Sequence, residues 1–160
     1  MASVNSPEQI VTETGREQLA TFVVDGLTFG VPVLEVQEVI KYQDMTRVPR
    51  APAVVRGLIN LRGQIVTAID MRKRLRMPDR DAELKPMNVV VRTADGVVSL
   101  LVDEIGDVLE VQQHQRDAPP DTVGAWVREL VTSVYKLPGR LLLVLDVERV
   151  TSPDAFDAPA

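Results

Sequence analysis

The apolar residues of this chain fall into short, β-branched runs interrupted by glycine. Residues 19–33, LATFVVDGLTFGVPV, form two such runs around Asp25-Gly26, which predicts strand, tight Asp-Gly hairpin, strand. Residues 87–105, MNVVVRTADGVVSLLVDEI, repeat the design around Asp95-Gly96. Two further runs start behind a glycine and stop at an aspartate: GQIVTAIDMR (63–72) ends at Asp70, and GRLLLVLDVERV (139–150) ends at Asp146. An aspartate followed by mixed apolar and charged residues predicts the cap of a short helix.

These pairs line up as an internal repeat. Asp25-Gly26 matches Asp95-Gly96 seventy positions later, while Gly63, Ile69 and Asp70 match Gly139, Leu145 and Asp146 at an offset of seventy-six. VQEVI (36–40) resembles IGDVL (105–109), each placed after a strand. The chain therefore reads as a diverged tandem of two similar units, each too small to bury much alone, so the two should pack together. Short strands with glycine turns favour small barrels over a βαβ sheet, whose crossovers need longer helices. Residues 72–87 and 112–125, rich in charge or proline, are the longer connections. Residues 1–17 read as a loose arm and 151–160 as a frayed tail around a domain at 18–150, with the boundary between its two units near 71–87.

Composition narrows the chemistry. The 160 residues are 45% hydrophobic and 26% charged, as in an ordinary folded domain, with a net charge of -5 that argues against a nucleic-acid backbone as main partner. Cysteine is absent, which removes disulfides, thiol nucleophiles and cysteine zinc sites. The first eighteen residues lack a basic segment followed by an apolar one, and no uncharged run reaches eighteen residues, so the expectation is a cytoplasmic protein without its own membrane insertion. The single histidine, His114, lies in a polar linker, where solvation is the plain reading. No serine sits in a G-x-S-x-G elbow, no glycine cluster forms a phosphate loop, and Asp103, Glu104, Asp107 and Glu110 lack calcium-loop spacing. Those four carboxylates read as solvated charges alternating with buried Ile105, Val108 and Leu109. No catalytic residue, metal or cofactor is expected. Binding features are richer: VLEVQEVIKY (33–42) carries Glu35 and Glu38 among valines, and a stiff basic loop with Arg47, Pro49, Arg50, Pro52 and Arg56 leads into GLINLRGQIVTAIDMR (57–72). Their bland readings are a half-buried strand and a solvated proline turn.

The INLRG segment joined to its IVxxID strand, preceded by VLEVQEVIKYQDMTRVPRAPAVVR and followed by VVSLLVDEIGDVLEV (97–111) and LLLVLDVERV (141–150), closely resembles the CheW family of bacterial chemotaxis coupling proteins. The resemblance spans residues 18–150. It implies an all-β fold of two five-stranded SH3-like barrels packed together, with short helices in the connections. It also implies a non-enzymatic adaptor that couples the cytoplasmic signalling tips of chemoreceptors to the regulatory domain of the histidine kinase CheA, and that joins other CheW-like domains in rings at membrane-associated receptor arrays. On this resemblance the partner surface takes in Val36, Glu38 and Arg62, the last two as a linked pair beside Asn60. The family's groove would use Val36, Val39, Ile59 and Leu61 on one side and Val102, Ile105 and Val108 on the other. The chain departs from the family at Thr67 and Asp117, where proline is common, and around Thr132–Tyr135, which is bulkier than the family's glycine-bearing segment. Two rival readings fit the same sequence: same-fold coupling in twitching motility or a second-messenger circuit, and an enzyme for a small substrate, which would need a concave pocket with perturbed titratable groups.

Overall fold

The computed structural model describes residues 15–152 and contains ten strands and three single-turn helices. The expected hairpins are present. β1 (Arg16–Val24) and β2 (Leu27–Pro32) turn at Asp25-Gly26, with φ of 49° and 80°. β6 (Met87–Thr93) and β7 (Gly96–Val102) turn one residue earlier than the repeat suggests, through Ala94-Asp95, with Gly96 opening β7 at φ 127°. Both capping aspartates act as expected. Asp70 accepts from the Arg72 amide at the start of α1 (Met71–Arg74), and Asp146 accepts from the Arg149 amide at the start of α3 (Val147–Val150). Helix α2 (Ala125–Arg128) precedes β9 (Val131–Leu137) and β10 (Arg140–Leu145).

The strands form two five-stranded sheets, as the fold class requires. One runs β8-β1-β2-β10-β9 and the other β3-β6-β7-β5-β4, where β3 is Val36–Ile40, β4 Val55–Leu61, β5 Gln64–Asp70 and β8 Glu104–Gln112. Replacing each strand of one order by its repeat partner reproduces the other, so the tandem reading holds at the level of topology. The expected boundary is corrected. A cut at 71–87 separates the two sequence repeats but not the two sheets, because each repeat gives its opening hairpin to one sheet and its last three strands to the other. The chain crosses between sheets at the 3-10 turn Val33–Glu35 and again at Asp103. Of the expected terminal segments, 1–14 and 153–160 lie outside the described residues, and Arg16 and Glu17 belong to β1.

Burial explains the exchange. The largest apolar cluster lies between the sheets, with Phe22, Phe29 and Val31 from one meeting Val89, Val91, Leu100 and Val102 from the other, and with Met71, Val127, Val147 and Val150 closing its ends. Each sheet also has a smaller cluster on its far face: Leu19, Val111, Tyr135, Leu142 and Val144 in one, Ile59, Leu61, Val66 and Val90 in the other. Strand β6 is thus covered on both faces, Val90 turning away from Val89 and Val91, which is why its apolar run is continuous rather than alternating. Buried Ser99, inside β7, donates to Asn88 Oδ1 at 2.7 Å, a hydrogen bond between neighbouring strands.

Candidate functional site

Glu38 lies on β3 and Arg62 in the β4–β5 turn, on the two opposite edges of one sheet. Arg62 Nη2 donates to Glu38 Oε2, so an ion pair spans the gap between those edges. The sheet must curl for this to occur, and Ile40 of β3 packs with Ile59 and Leu61 of β4 in the same far-face cluster. The turn is unusual in its sequence. Arg62 and Gly63 have φ of 53° and 92°, the left-handed pair of a two-residue hairpin, where asparagine or glycine is normal at the first position. Asn60 bonds within the turn itself. Its Oδ1 accepts from the Gly63 amide at 2.8 Å and fastens the turn. The Arg62 side chain is 72% exposed and that of Glu38 21%, so the carboxylate anchors while the guanidinium faces outward. The matching turn in the other sheet, Pro138-Gly139, carries no charge, which makes the pair a feature of one sheet only.

The remaining groove residues separate into three groups. Val36 and Ile105, equivalent in the repeat, each follow a crossover and pack partly buried against the inter-sheet core. Val39 is exposed, and Val108 is 58% exposed, contrary to the expectation that it would be buried. Ile59, Leu61 and Val102 are buried, which corrects their assignment as groove contacts. Their side chains point down the pleat into the far-face and inter-sheet clusters and can act on a partner only through the strands they support.

The acidic stretch is also corrected at one position. Glu104, Asp107 and Glu110 are exposed, but Asp103 is 13% exposed and is a hub. It receives Arg72 through Nε at 3.1 Å and Nη2 at 2.6 Å, Arg80 through Nε at 2.8 Å, and the Asp25 amide at 2.8 Å. Burial pushes its carboxyl up, but hydrogen bonds from Arg72, the Asp25 amide and Arg80, with the Arg80 charge, outweigh this and hold it below its ordinary value. The same hydrogen bond from Arg72 raises that arginine's pKa. The hub ties the β1–β2 turn of one sheet to α1, which follows β5 of the other. The repeat-related contact, between the Ala94 amide and Glu148 of α3 at 3.0 Å, does the same job at the other end. Arg74, buried in α1, donates through Nε and Nη2 to the Val150 and Arg149 carbonyls at 2.8 and 2.9 Å, closing the end of α3. Pattern reading missed these contacts because their partners lie 23 to 78 positions apart.

Among the described residues no group of three or more His, Asp or Glu side chains is placed to hold a metal, and no helix is long and apolar enough to cross a membrane. His114 is exposed in the 3-10 turn Gln113–Gln115.

Residues 18–154 match the family model described as a CheW-like domain. The chain is 30% identical to the chemotaxis protein CheW of Bacillus subtilis, over 87% of this chain and 89% of that protein. It is 31% identical to the chemotaxis protein CheW of Rhizobium meliloti, over 92% and 95% respectively. Among solved structures it resembles the scaffolding protein TtCheW from Thermoanaerobacter tengcongensis, with a TM-score of 0.74 and 23% identity over 84% of this chain and 86% of that one.

Proposed function

The chain belongs to the CheW-like family, and on that premise we propose that it is a non-enzymatic chemotaxis adaptor coupling chemoreceptor signalling tips to the regulatory domain of the kinase CheA. The observation that carries this reading is a family match running through both sheets, so the whole two-sheet body is what the family shares. An adaptor of this kind works by position. It holds receptor and kinase in a fixed relation, and a change in the receptor then alters which kinase state is favoured. It acts in the cytoplasm, recruited to membrane-associated arrays, where it also meets other CheW-like domains in rings.

The receptor surface, in this reading, is centred on Val36, Val39, Ile105 and Val108, with the Glu38–Arg62 pair and Asn60 shaping its polar edge. Ile59, Leu61 and Val102 hold the strands beneath. Helical receptor tips suit such a surface because an amphipathic helix can lay apolar side chains on the valines while its polar face meets Arg62. The exposure of Val39 and Val108, and the ion pair by which Glu38, next to Val39 on β3, holds the Arg62 guanidinium, support this placement.

Calorimetric titration of the full chain against a receptor signalling-tip fragment, and separately against the kinase regulatory domain, tests the proposal. Saturable binding to both is expected, with Val108→Asp and Arg62→Lys weakening the receptor arm while the melting temperature holds. No heat in either titration at high micromolar concentration would remove the adaptor reading. Binding unaffected by both substitutions would remove the surface but leave the adaptor.

A further inference from the structure

A cleft of about 700 Å³ opens between the loop joining β3 to β4 and the start of α1. Its lining includes Tyr42, Arg47, Arg50, Arg56, Pro52 and Lys73 and, among the described residues, contains no carboxylate. Four cations face one space in a chain whose net charge is -5. Two of them are engaged from outside it: Arg56 lies 3.6 Å from Asp70, and Lys73 lies 2.8 Å from Asp79. Arg47 and Arg50 are exposed and, among the described residues, make no ion pair or side-chain hydrogen bond.

The backbone around them is built rather than loose. The Ala51 amide donates to the Val48 carbonyl at 3.2 Å, closing a turn with Pro49 second and Arg50 third, and Arg50 has φ of 65°. That third position calls for glycine or asparagine, because a left-handed side chain costs on the order of 1–2 kcal/mol. A guanidinium is kept there despite the strain, and such outliers point toward function. Two backbone bonds between Thr46 and Leu58, at 2.9 and 2.8 Å, fix the loop to β4, and a Cβ on Gly57 would sit only 2.8 Å from the Thr46 carbonyl. With Pro49 and Pro52 stiffening it, the cleft loses little entropy when something enters.

We propose that this cleft receives an acidic segment of a protein partner, whose carboxylates meet the Arg47 and Arg50 guanidinium forks while its apolar side chains lie on Val48, Pro49 and Pro52. Planar donors match carboxylates directly, and the exposed apolar lining beside them suits a peptide better than a bare polyanion. A nucleic-acid strand needs a longer basic track than one cleft on an acidic protein supplies. This inference stands apart from the adaptor reading, since its test uses neither receptor nor kinase.

The test is fluorescence anisotropy of a labelled hexaglutamate peptide titrated with the full chain at low salt, beside an uncharged glycine-serine hexapeptide. Pyrophosphate and a short oligothymidine serve as unlabelled competitors. The expected result is saturable binding of the acidic peptide alone, weakening as sodium chloride rises. Arg47→Gln and Arg50→Gly should each lower affinity roughly three- to ten-fold. Arg50→Gly should do so with an equal or higher melting temperature, since glycine relieves the left-handed strain, and this separates lost binding from lost folding. Arg140→Gln, on the other sheet, should bind as the parent does. The proposal is overturned if the neutral peptide binds equally, or if Arg47→Gln and Arg50→Gly leave affinity unchanged. Displacement by pyrophosphate or oligothymidine at concentrations no higher than the peptide's own would also overturn it.

Discussion

Replacing Asp103 by asparagine should destabilise the protein by about 3 kcal/mol at pH 7. The substitution keeps the shape and removes the charge, leaving two guanidinium groups facing a neutral amide. Arg80 suffers most, because it is 5% exposed and, among the described residues, its other carboxylate is Asp70, 3.9 Å from an Nη2 that makes no hydrogen bond. Arg72 is 15% exposed and retains the Pro78 carbonyl at 3.0 Å and Asp25 at 3.5 Å. Removing one member of a buried pair costs roughly 3–5 kcal/mol. Arg72's surviving contacts place the expected loss at the lower end of that range. In a chain of this length each kcal/mol moves the melting temperature by about 2–4 °C, so the shift should be roughly 6–12 °C. Asp103 has a folded pKa below its unfolded one, so its contribution is present above about pH 4 and fades as pH falls through the folded value. Urea unfolding of parent and variant should therefore show the full gap at pH 7 and a narrowing gap below about pH 4, with Asp107→Asn as an exposed control near zero. A variant within about 0.5 kcal/mol of the parent at pH 7, or a gap independent of pH, would refute the hub.

Other outcomes follow from the same contacts. Burial raises the Glu17 pKa despite the Tyr135 hydroxyl nearby, so its charge opposes folding above the folded value; Glu17→Gln should melt higher than the parent at neutral pH and lose that advantage in acid. Arg74→Met should cost about 2–4 kcal/mol by orphaning the Val150 and Arg149 carbonyls, and it should shift the emission of Trp126, over whose ring Arg74 also lies at 5.5 Å. Arg62→Gly should hold or raise stability in urea, because the left-handed turn prefers glycine, while weakening receptor binding by calorimetry; a stable variant with parental affinity would leave Arg62 no partner role.

Local chemistry made the strands, turns and caps legible, while the pairing of sheets was not. Asp-Gly at 25–26 and aspartate before α1 and α3 act within three or four residues, so the sequence displays cause and effect together. The crossovers at Val33–Glu35 and Asp103 carry no such mark. The same ten strands could have closed as two consecutive units, with every hairpin unchanged, and only the large core shared by Phe22, Phe29, Val89 and Leu100 distinguishes the exchanged arrangement. One hint was present: the unbroken apolar run of β6 requires cover on both faces, which a half-exposed edge would not supply. The site divides along the same line. Alternation in GLINLRG already sets Ile59 and Leu61 on one face and Asn60 on the other, so their burial was readable, and naming them as groove contacts ran against the pattern. Glu38 and Arg62 are the opposite case. Period and composition see two solvated charges 24 positions apart, and only the curl that brings both edges of the sheet over one small cluster makes them meet. Here the family resemblance supplied what the pattern could not, because a pairing set by curvature leaves no trace in spacing.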